Sequence, residues 1–340
     1  MTTDATADPV DLTAEAERLQ LLASPVPGRV LYVLSELRVP DALLDGPFTA
    51  ARLAAMVGAE EGALTRVLRI AAQLDVVEEV TAGRWGLRPA GRLLCDGTGG
   101  GLRAEFADND LFALWTGFLH SVRTGESCYK EVFGSTLFER LSEKPAERQL
   151  FHQHMHERAH LVYPPLVRSA LWPDTGVLVD LGGGTGGLLE QLLAERPGLS
   201  GVLHDLPEVL ELSPLPNVPQ LAGRVRLTPG DVFSGELPPG DVYVLASVLH
   251  DWPEAQAVEM LTNCRAVCGP GTRLLVVDRV LPEQGGGLAV HNDLLMLAAV
   301  GGRERTMTEW RVLAGRCGFE INVVEGAPET DLSILEFRPG

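Results

Sequence analysis

A glycine-rich segment, VLVDLGGGTGG at residues 177–187, combines residue types that can hold a nucleotide-like ligand. A run typical of a buried strand ends in Asp180, and five glycines then lead into a helix that we expect to begin near Leu188. Glycine permits positive φ and a close approach of the backbone, and a helix start presents free N–H groups and the positive end of the helix dipole. The segment therefore predicts an anionic or nucleotide ligand at this turn.

A carboxylate after the next predicted strand narrows the choice of ligand. The strand covers residues 199–203 and is followed by Asp205, which places this side chain where the two hydroxyls of a ribose could be bound. The glycines at 182, 184 and 187 also satisfy the G-x-G-x-x-G spacing of dinucleotide-binding proteins. Asp205 therefore fits either NAD or S-adenosylmethionine.

The third predicted strand, residues 224–227, favours S-adenosylmethionine over NAD. It is followed by Asp231 and Phe233, and an acid followed by an aromatic residue at this place can pair with the adenine amino group and cover the adenine ring. A hydride-transfer enzyme has no particular need for that pair.

Taken together, six segments of the chain resemble the small-molecule O-methyltransferases that include plant caffeic-acid and flavonoid enzymes and bacterial polyketide-tailoring enzymes. The segments follow one another as DLGGGTGG, LHDLPEV, GDVF, LHDWPE, VVDRVLPE and GGRERT, and the resemblance extends from about Leu21 to the C-terminus. It implies an α/β fold in which a Rossmann-like class I methyltransferase sheet is joined to an N-terminal α-helical winged-helix dimerisation domain.

The resemblance also implies S-adenosyl-L-methionine as the methyl donor, S-adenosyl-L-homocysteine as the product, and no metal. The glycine loop and Asp205 would hold the methionine and ribose portions, and Asp231 and Phe233 would face the adenine. The complete set of cofactor-binding residues that we expect is Asp180, Gly182, Gly184, Asp205, Leu206, Asp231, Val232, Phe233 and Ser247.

His250 is the candidate for catalysis, because it lies just beyond a strand predicted over residues 241–246, at the sheet edge where ligands usually bind. A phenol has a pKa of about 10 and an imidazole one of about 6.5, so a histidine within hydrogen-bond distance can accept the phenolic proton during methyl transfer. Asp278 is expected to end a strand over residues 274–277. In the resembled enzymes acids at the positions of Asp278 and Glu304 flank the histidine, which implies these three as the catalytic set. Two alternatives remain: His250 could cap the helix that Pro253 begins, and either acid could form a surface ion pair with a nearby arginine.

The acceptor site is expected to draw on the region of residues 101–163, which is predicted to be helical and is rich in aromatic residues. An aromatic acceptor needs apolar walls with a few polar groups. The residues that we predict to contact it are Trp115, Phe118, Met155, Asn292 and Met296. The aromatic residues and methionines among them could equally pack in a core. Asn292, with Asp293, is expected at the start of a helix over residues 294–299.

One helix in this region carries histidines at positions 152, 156 and 160, which share a face. Two histidines four residues apart can chelate a metal, but no ligating acid accompanies them in a recognised motif. We therefore interpret them as solvated or interface histidines.

The first third of the chain has the pattern of a winged helix. Winged helices usually bind DNA through their second helix, but residues 41–94 contain six arginines, no lysine and seven acids. That balance excludes the basic face that DNA binding needs, so we interpret the module as a homodimerisation platform. The predicted helices cover residues 11–24, 28–37, 50–57 (capped by Thr49 and ended by Gly58) and 61–74, and the two strands of the wing cover 76–80 and 84–87.

These patterns divide the chain into three regions. We expect a winged-helix-like dimerisation domain over residues 1–100, a helical linker and substrate-pocket region over residues 101–163, and a catalytic domain that binds S-adenosylmethionine over residues 164–340.

Composition restricts the partners and the location of the protein. The 340 residues include 28 Lys and Arg against 46 Asp and Glu, a formal net charge of −18, which argues against nucleic acid and anionic membranes as partners. The sequence has no run of about twenty apolar residues and no signal-peptide pattern, so we expect a cytoplasmic protein without a membrane span. The five cysteines are scattered and odd in number, which predicts reduced thiols.

The sequence thus predicts transfer of a methyl group to a hydroxyl, expected to be phenolic, of an aromatic secondary-metabolite precursor whose identity the sequence does not give. Three alternatives stay open: an S-adenosylmethionine-binding protein diverted to hydroxylation or decarboxylation of a polyketide, a nicotinamide oxidoreductase, and a winged-helix regulator.

Overall fold

The computed structural model describes residues 12–96, 102–107, 109–269, 271–327 and 330–340. These residues form two compact units, of which the first ends before residue 109 and the second contains the described residues from 109 onwards.

The first unit is a small helical domain with a three-stranded antiparallel sheet. Thr49 caps α4 by accepting a hydrogen bond from Arg52 N, and Gly58 ends that helix with φ of 71°, so the predicted boundaries of this helix are confirmed. Strands β2 and β3 form the predicted wing, and β1 pairs with the other edge of β3. In chain order the elements are α1 (Leu12–Leu22), α2 (Val26–Glu36), α3 (Val39–Leu43), β1 (Phe48–Thr49), α4 (Ala50–Val57), α5 (Glu61–Gln73), β2 (Val77–Thr81), β3 (Arg84–Leu87), α6 (Pro89–Arg92) and α7 (Leu102–Ala107).

A core of buried apolar side chains holds this unit together, and Leu34, Leu53 and Leu68 lie at its centre with no exposed surface. Burying a leucine in this way stabilises the folded state by about 1.5–3 kcal/mol relative to leaving it in water. Helix α1 has no buried residue, and its leucines are exposed.

The second unit begins with six helices and continues as an α/β sheet. The helices are α8 (Asn109–Leu114), α9 (Phe118–Thr124), α10 (Tyr129–Phe133), α11 (Leu137–Glu143), α12 (Pro145–Val162) and α13 (Pro164–Val167). The elements that follow are β4 (Gly176–Leu181), α14 (Gly187–Glu195), β5 (Leu199–Asp205), α15 (Pro207–Leu210), β6 (Val225–Pro229), β7 (Val242–Ala246), α16 (Glu254–Val267), β8 (Arg273–Leu281), α17 (Leu288–Val300), β9 (Arg305–Thr306), α18 (Met307–Arg316), β10 (Phe319–Ala327) and β11 (Leu332–Pro339).

The order of strands in the sheet is β10-β11-β8-β7-β4-β5-β6, and β9 adds to the end of β8. The five strands from β8 to the edge strand β6 are parallel to one another. At the other edge, β11 runs antiparallel to β8, and β10 runs antiparallel to β11. Because the chain passes from β4 to β5 on one side and later returns to β7 on the other, the order of strands reverses between β4 and β7. Ligands of open α/β sheets bind at the carboxyl ends of the strands at such a reversal.

Two apolar layers cover the faces of the sheet, as a sheet of buried parallel strands requires. On one face, Leu178 and Val244 pack with residues of α13 and α14 such as Leu166 and Leu189. On the other face, Tyr243 and Leu245 pack with residues of α16 and α18, among them Met260 and Trp310. The strands are thus fixed from both sides, which holds their carboxyl ends in place.

Two predicted boundaries are wrong. Helix α17 begins at Leu288 after Gly287, whose φ is 115°, so Asn292 and Asp293 lie inside the helix rather than before a helix over residues 294–299. The apolar residues at 288–290 precede this polar pair and already follow the helical pattern, so the helix starts before the pair that suggested its start. Strand β8 continues past Asp278 to Leu281, because β11 pairs with Asp278 and β9 pairs with the last two residues of β8.

Candidate active site

The glycine loop lies directly after β4, at the point where the order of strands reverses. Gly182 and Gly184 have φ of 65° and 60°, a region that residues with a side chain rarely adopt. A Cβ on Gly182 would lie 3.3 Å from Val248, which follows β7. The backbone at both positions therefore has the conformation for which the sequence predicted glycine. Helix α14 begins directly after the loop.

The carboxylate of Asp180, in β4 just before this loop, is buried, and neither oxygen has a hydrogen-bond partner among the described residues. Burial raises the pKa of Asp180 to about 7, and the negative charge of Asp205 adds to the effect. A buried carboxylate without a donor is costly unless a ligand supplies one. Asp180 therefore fits a ligand that brings hydrogen-bond donors or a positive charge to the loop.

Asp205 ends β5 and faces the glycine loop. Its Oδ2 accepts a hydrogen bond from Gly184 N at 2.7 Å, and its Oδ1 accepts one from Leu206 N at 2.7 Å. Burial raises the pKa of Asp205 to about 6, although the two N–H donors oppose this shift. The carboxylate is held in a fixed orientation with lone pairs left over, which is the arrangement that binding of a diol requires.

The residues after β6 and β7 form an aromatic group that the sequence only partly indicated. Asp231 is exposed and accepts a hydrogen bond from Phe233 N at 2.9 Å, and Val232 between them is buried. The Phe233 ring meets the Trp252 ring edge-on at 4.7 Å, and Trp252 stacks on Phe138 at 5.1 Å. Trp252 lies in the motif LHDWPE, but no role was predicted for it. Its position just beyond the end of a strand could have indicated that it lies at the site.

Ser247 follows β7 and adopts a φ of 54°, which is strained for a residue other than glycine. The hydroxyl of Tyr163 donates a hydrogen bond to Ser247 Oγ at 3.0 Å. Tyr163 is buried, and this burial raises its pKa to about 12. A strained residue at the carboxyl edge of the sheet is consistent with a role at the site, and Tyr163 was not predicted to support it.

His250 lies in the short 3₁₀ turn Leu249–Asp251 between β7 and α16, and only 6% of its surface is exposed. Its Nδ1 lies 2.9 Å from Oε1 of Glu304 and 3.1 Å from Oδ1 of Asp278. The N-cap position of α16 is occupied by Pro253, which forms no side-chain cap hydrogen bond, so capping does not explain the histidine. The three predicted catalytic residues are thus brought together in one buried cluster.

The loop before β9 approaches the backbone of His250 closely. A Cβ on Gly302 would lie 1.9 Å from His250 O, so only glycine fits there, and Arg303 N donates a hydrogen bond to the same oxygen at 2.9 Å. This approach places Glu304 beside the imidazole. Glu304 N in turn donates to Asp293 Oδ1 at 2.8 Å, which ties the loop to α17.

Charge inside the cluster controls the protonation of His250. Burial lowers the pKa of the imidazole, but the carboxylates of Asp278, Asp251 and Glu304 outweigh it and raise the pKa to about 10. Burial also raises the pKa of Asp278 to about 7. Two buried carboxylates beside one histidine cannot all take their ordinary protonation states, so the cluster exchanges protons as a unit.

The two carboxylates of the cluster have different partners. Burial raises the pKa of Glu304, but the hydrogen bond and charge of His250, Arg279 at 3.6 Å and the amide of Asn292 lower it overall. The oxygens of Asp278 accept no hydrogen bond from the described residues. Glu304 is therefore the ionised partner of His250, and Asp278 is the carboxylate that more readily takes up a proton. The arginine contact that the sequence left open for Glu304 exists, but it is buried.

The predicted acceptor-binding residues lie on different elements. Trp115, 39% exposed, meets Phe118 edge-on at 5.2 Å, and Phe118 packs on the buried group that includes Ala298 of α17. Met155 is exposed, Met296 is half-buried, and Asn292 donates a hydrogen bond to Glu304. Contact of these residues with an acceptor stays a prediction.

The histidines of α12 are not simply solvated. His156 Nδ1 lies 3.0 Å from Thr185 Oγ of the glycine loop, and its Nε2 lies 3.3 Å from Glu190 of α14. His152 also faces the loop, because a Cβ on Gly184 would lie 3.9 Å from its Nδ1. The predicted solvated or interface position is wrong for His156, since α12 and α14 pack against each other within this unit. The sequence alone gave no signal that Glu190 would stand opposite.

None of the helices in the described parts of the chain is both long enough and apolar enough to cross a membrane.

Comparisons with known proteins agree with this arrangement. The O-methyltransferase domain family matches residues 115–320, and the O-methyltransferase dimerisation domain family matches residues 19–97. The chain belongs to the S-adenosylmethionine-dependent O-methyltransferases. The match over 115–320 covers the aromatic region, the glycine loop and the His250 cluster.

Three similar proteins show the range of this family. The O-demethylpuromycin-O-methyltransferase of Streptomyces alboniger is 34% identical over 98% of this chain and 92% of its own. Aclacinomycin 10-hydroxylase RdmB of Streptomyces purpurascens is 33% identical over 96% of this chain and 90% of its own. The crystal structure of NcsB1, an O-methyltransferase from neocarzinostatin biosynthesis in complex with S-adenosylmethionine and 2-hydroxy-5-methyl naphthoic acid, is 30% identical, with a TM-score of 0.80 over 98% of this chain and all of the other.

The observed residues fit S-adenosylmethionine, the methyl donor of the family. The carboxylate of Asp180, which has no hydrogen-bond partner among the described residues, can bind a positively charged group or hydrogen-bond donors of the ligand. The fixed carboxylate of Asp205 can accept hydrogen bonds from the two hydroxyls of a ribose. Phe233 and Trp252 offer an aromatic surface at the neighbouring strand ends. Methyl transfer in this family needs no metal. We therefore set aside two of the alternatives that the sequence left open, the nicotinamide oxidoreductase and the winged-helix regulator.

Proposed function

We propose that the protein transfers the methyl group of S-adenosylmethionine to a phenolic hydroxyl of an aromatic secondary-metabolite precursor, with His250 as the group that accepts the phenolic proton. The observation that carries this proposal is the buried imidazole held between Glu304 and Asp278, at 2.9 and 3.1 Å from its Nδ1. A phenolic acceptor is further supported by the hydroxynaphthoic acid bound to NcsB1.

The methyl donor supplies an electrophilic methyl group on a sulfonium, so the chain has to position the acceptor and remove its proton. His250 holds its Nδ1 toward the two buried carboxylates, which leaves Nε2, 3.5 Å from Oδ1 of Asp251, as the nitrogen that can receive the proton. As Nε2 takes up the phenolic proton, the proton on Nδ1, which is hydrogen-bonded to Glu304 in the resting cluster, can shift to Oδ1 of Asp278 at 3.1 Å. The oxygen of the acceptor is then free to form its bond to the methyl group.

Asp278 is the terminal proton acceptor of this scheme because burial raises its pKa to about 7, whereas the hydrogen bonds of His250 and Asn292 and the charge of Arg279 hold Glu304 ionised. The neighbouring carboxylates raise the pKa of His250 to about 10, so an imidazole that kept this proton to itself would already be protonated at neutral pH and could accept no other. Sharing the proton within the cluster removes this difficulty, because the cluster as a whole can take one more proton above the pKa of Asp278. Glu304 then orients the ring.

The test is a turnover screen with S-adenosylmethionine labelled in its methyl group. The full chain is incubated with a panel of phenols, hydroxynaphthoic acids and hydroxyquinones, and labelled products are separated and located by NMR. We expect a labelled methyl ether on an aromatic ring together with one S-adenosylhomocysteine per product. Label on nitrogen or carbon only, with every phenol left unmodified, would contradict the proposal.

A second candidate is hydroxylation at the same site, which the 33% identity to aclacinomycin 10-hydroxylase favours. The same screen separates the two functions when it is run under isotopically labelled dioxygen. Hydroxylation would place labelled oxygen in the product and leave the methyl donor unconsumed. Methyl transfer consumes the donor and takes no oxygen from the gas. Decarboxylation would release carbon dioxide, also without using up the donor.

We also propose that the chain forms a homodimer through its first unit. The dimerisation domain match over residues 19–97 supports this assembly, as do the exposed leucines of α1, which none of the described residues buries. Light scattering on the full chain tests it. The expected mass is twice 36.5 kDa, and a monodisperse active monomer would contradict the proposal.

A further inference from the structure

Two histidines and one glutamate converge between helices α12 and α14, away from the His250 cluster. His156 and His160 are one turn apart on α12, and Glu190 belongs to the first turn of α14. Oε2 of Glu190 lies 3.3 Å from Nε2 of His156 and 3.8 Å from Nε2 of His160. One ligand atom from each residue lies within 4.8 Å of the others.

Both rings are oriented through their other nitrogen. Nδ1 of His160 lies 3.0 Å from the backbone oxygen of His156, and because a carbonyl only accepts hydrogen bonds, Nδ1 must carry the proton. In the neutral ring, Nε2 of His160 therefore presents its lone pair toward Glu190. Nδ1 of His156 is held by Thr185 Oγ at 3.0 Å, which directs its Nε2 to the same point. Hydrogen bonds on the far nitrogen are what fix metal-binding histidines in proteins.

We propose that His156, His160 and Glu190 bind one zinc ion. Zinc takes imidazole nitrogen and carboxylate oxygen at about 2.0–2.1 Å in tetrahedral geometry, which separates neighbouring ligand atoms by about 3.3 Å. The two distances from Glu190 are close to that separation, so small side-chain movements suffice for all three to share an ion. Three protein ligands leave a fourth position for water, and His160, whose side chain is 42% exposed, leaves the site open to solvent.

The ion would join α12 to α14 beside the glycine loop. His156 already contacts Thr185 of that loop, and Ser213 Oγ donates a hydrogen bond to Thr185 O at 2.9 Å. Zinc at this place fixes the relative position of two helices and the loop between β4 and α14. Its role is structural, because none of its three ligands belongs to the cluster that takes up the phenolic proton.

The test is zinc titration of the metal-free full chain by calorimetry, with cobalt as a spectroscopic substitute. We expect one zinc ion per chain, a rise in the melting temperature, and the intense visible absorption of tetrahedral cobalt. His156→Ala and His160→Ala should each weaken zinc binding by at least ~100-fold, which exceeds the 10–100-fold that loss of an outer hydrogen-bond partner costs. Glu190→Gln should weaken it by about tenfold or more, because an amide oxygen is a poor zinc ligand.

His291→Ala is the matched control. His291 is exposed on α17, and its Nδ1 lies 3.0 Å from the backbone oxygen four residues earlier, as in His160, but it belongs to none of the clusters of potential metal ligands found among the described residues. Zinc binding should be unchanged in this variant. Circular dichroism of the metal-free variants establishes that each is folded.

Three results would overturn the proposal. The first is that excess zinc neither binds the folded wild-type chain nor raises its melting temperature, in which case the contacts of Glu190 are ordinary ion pairs. The second is that zinc binds equally well to His156→Ala and His160→Ala. The third is that binding is lost in His250→Gln but kept in those two variants, because the ion would then occupy the buried cluster of His250, Asp278 and Glu304.

Discussion

The second unit contains two clusters of histidine and carboxylate that use the same residue types in different surroundings. The cluster of His250, Asp278 and Glu304 is buried. In the cluster of His156, His160 and Glu190, the side chains are 19%, 42% and 25% exposed. Burial forces the first group to share protons among coupled sites, whereas the second lies close enough to water to exchange a proton or an ion with solvent.

The direction of the imidazole nitrogens differs as well. In the buried cluster it is Nδ1 that faces the carboxylates, so the proton lies between histidine and acid and Nε2 is left for a substrate. In the cluster of α12 and α14, Nδ1 is used up by a backbone oxygen or a hydroxyl, and Nε2 faces the carboxylate. The comparison teaches that burial and the partners of both ring nitrogens together decide whether a histidine suits proton transfer or metal binding.

The strongest test of this comparison is His250→Gln. Glutamine keeps a polar group of similar reach but cannot accept the phenolic proton, so kcat should fall by about 10²–10⁴. S-adenosylmethionine affinity and zinc affinity should stay within about twofold, measured by calorimetry on the same preparation. Near-normal turnover in a folded variant would remove the distinction between the two clusters.

Asp205→Ala removes a carboxylate that faces no histidine, so its effect on cofactor binding can be compared with the effect of His250→Gln on proton transfer. The loss of two charge-assisted hydrogen bonds to the ribose should weaken S-adenosylmethionine binding by about 10²-fold or more, since each is worth ~1.5–3 kcal/mol. At saturating donor, kcat should change much less than it does in His250→Gln. Calorimetry and saturation kinetics separate the two effects, and an unchanged affinity would contradict the assignment of Asp205.

The pair Asp278→Asn and Glu304→Gln tests which carboxylate takes the proton. The proton-accepting form of Asp278 exists above its pKa of about 7, so wild-type turnover should rise with pH through about 7. Each variant should lose about tenfold in kcat, because each carboxylate acts through the imidazole and is one step removed from the phenolic proton. Only Asp278→Asn should displace the rise near pH 7. If Glu304→Gln displaces it instead, the two roles are reversed.

The smallest effect is expected for the cluster of α12 and α14. His160→Ala and treatment with EDTA should each leave kcat within about threefold of the untreated wild type, because no metal takes part in methyl transfer and the general base lies elsewhere. The matched control is His291→Ala. Inactivation by EDTA that a divalent ion reverses would show that this second cluster contributes to catalysis and would abolish the contrast drawn here.

Much of the fold could be predicted from local patterns. Thr49 and Gly58 bound a helix, and a strand, a glycine run and a helix follow one another around Asp180, because caps and turns depend on residues close in sequence. The same patterns failed at Asn292, where a polar pair was taken for a helix start, and at Asp278, where pairing with β9 and β11 extends a strand. Pairing between distant strands has no local signature.

The sequence by itself determined the family and the order of the residues at the strand ends through short ordered motifs, and it indicated His250 as the candidate proton acceptor. Only the tertiary structure decided which of the two acids expected beside His250 is its hydrogen-bonded partner, namely Glu304, 54 residues away, and that Glu190 faces His156. The physical reason is that these contacts depend on the order of strands and the packing of α12 on α14. Neither is encoded in the spacing of neighbouring residues.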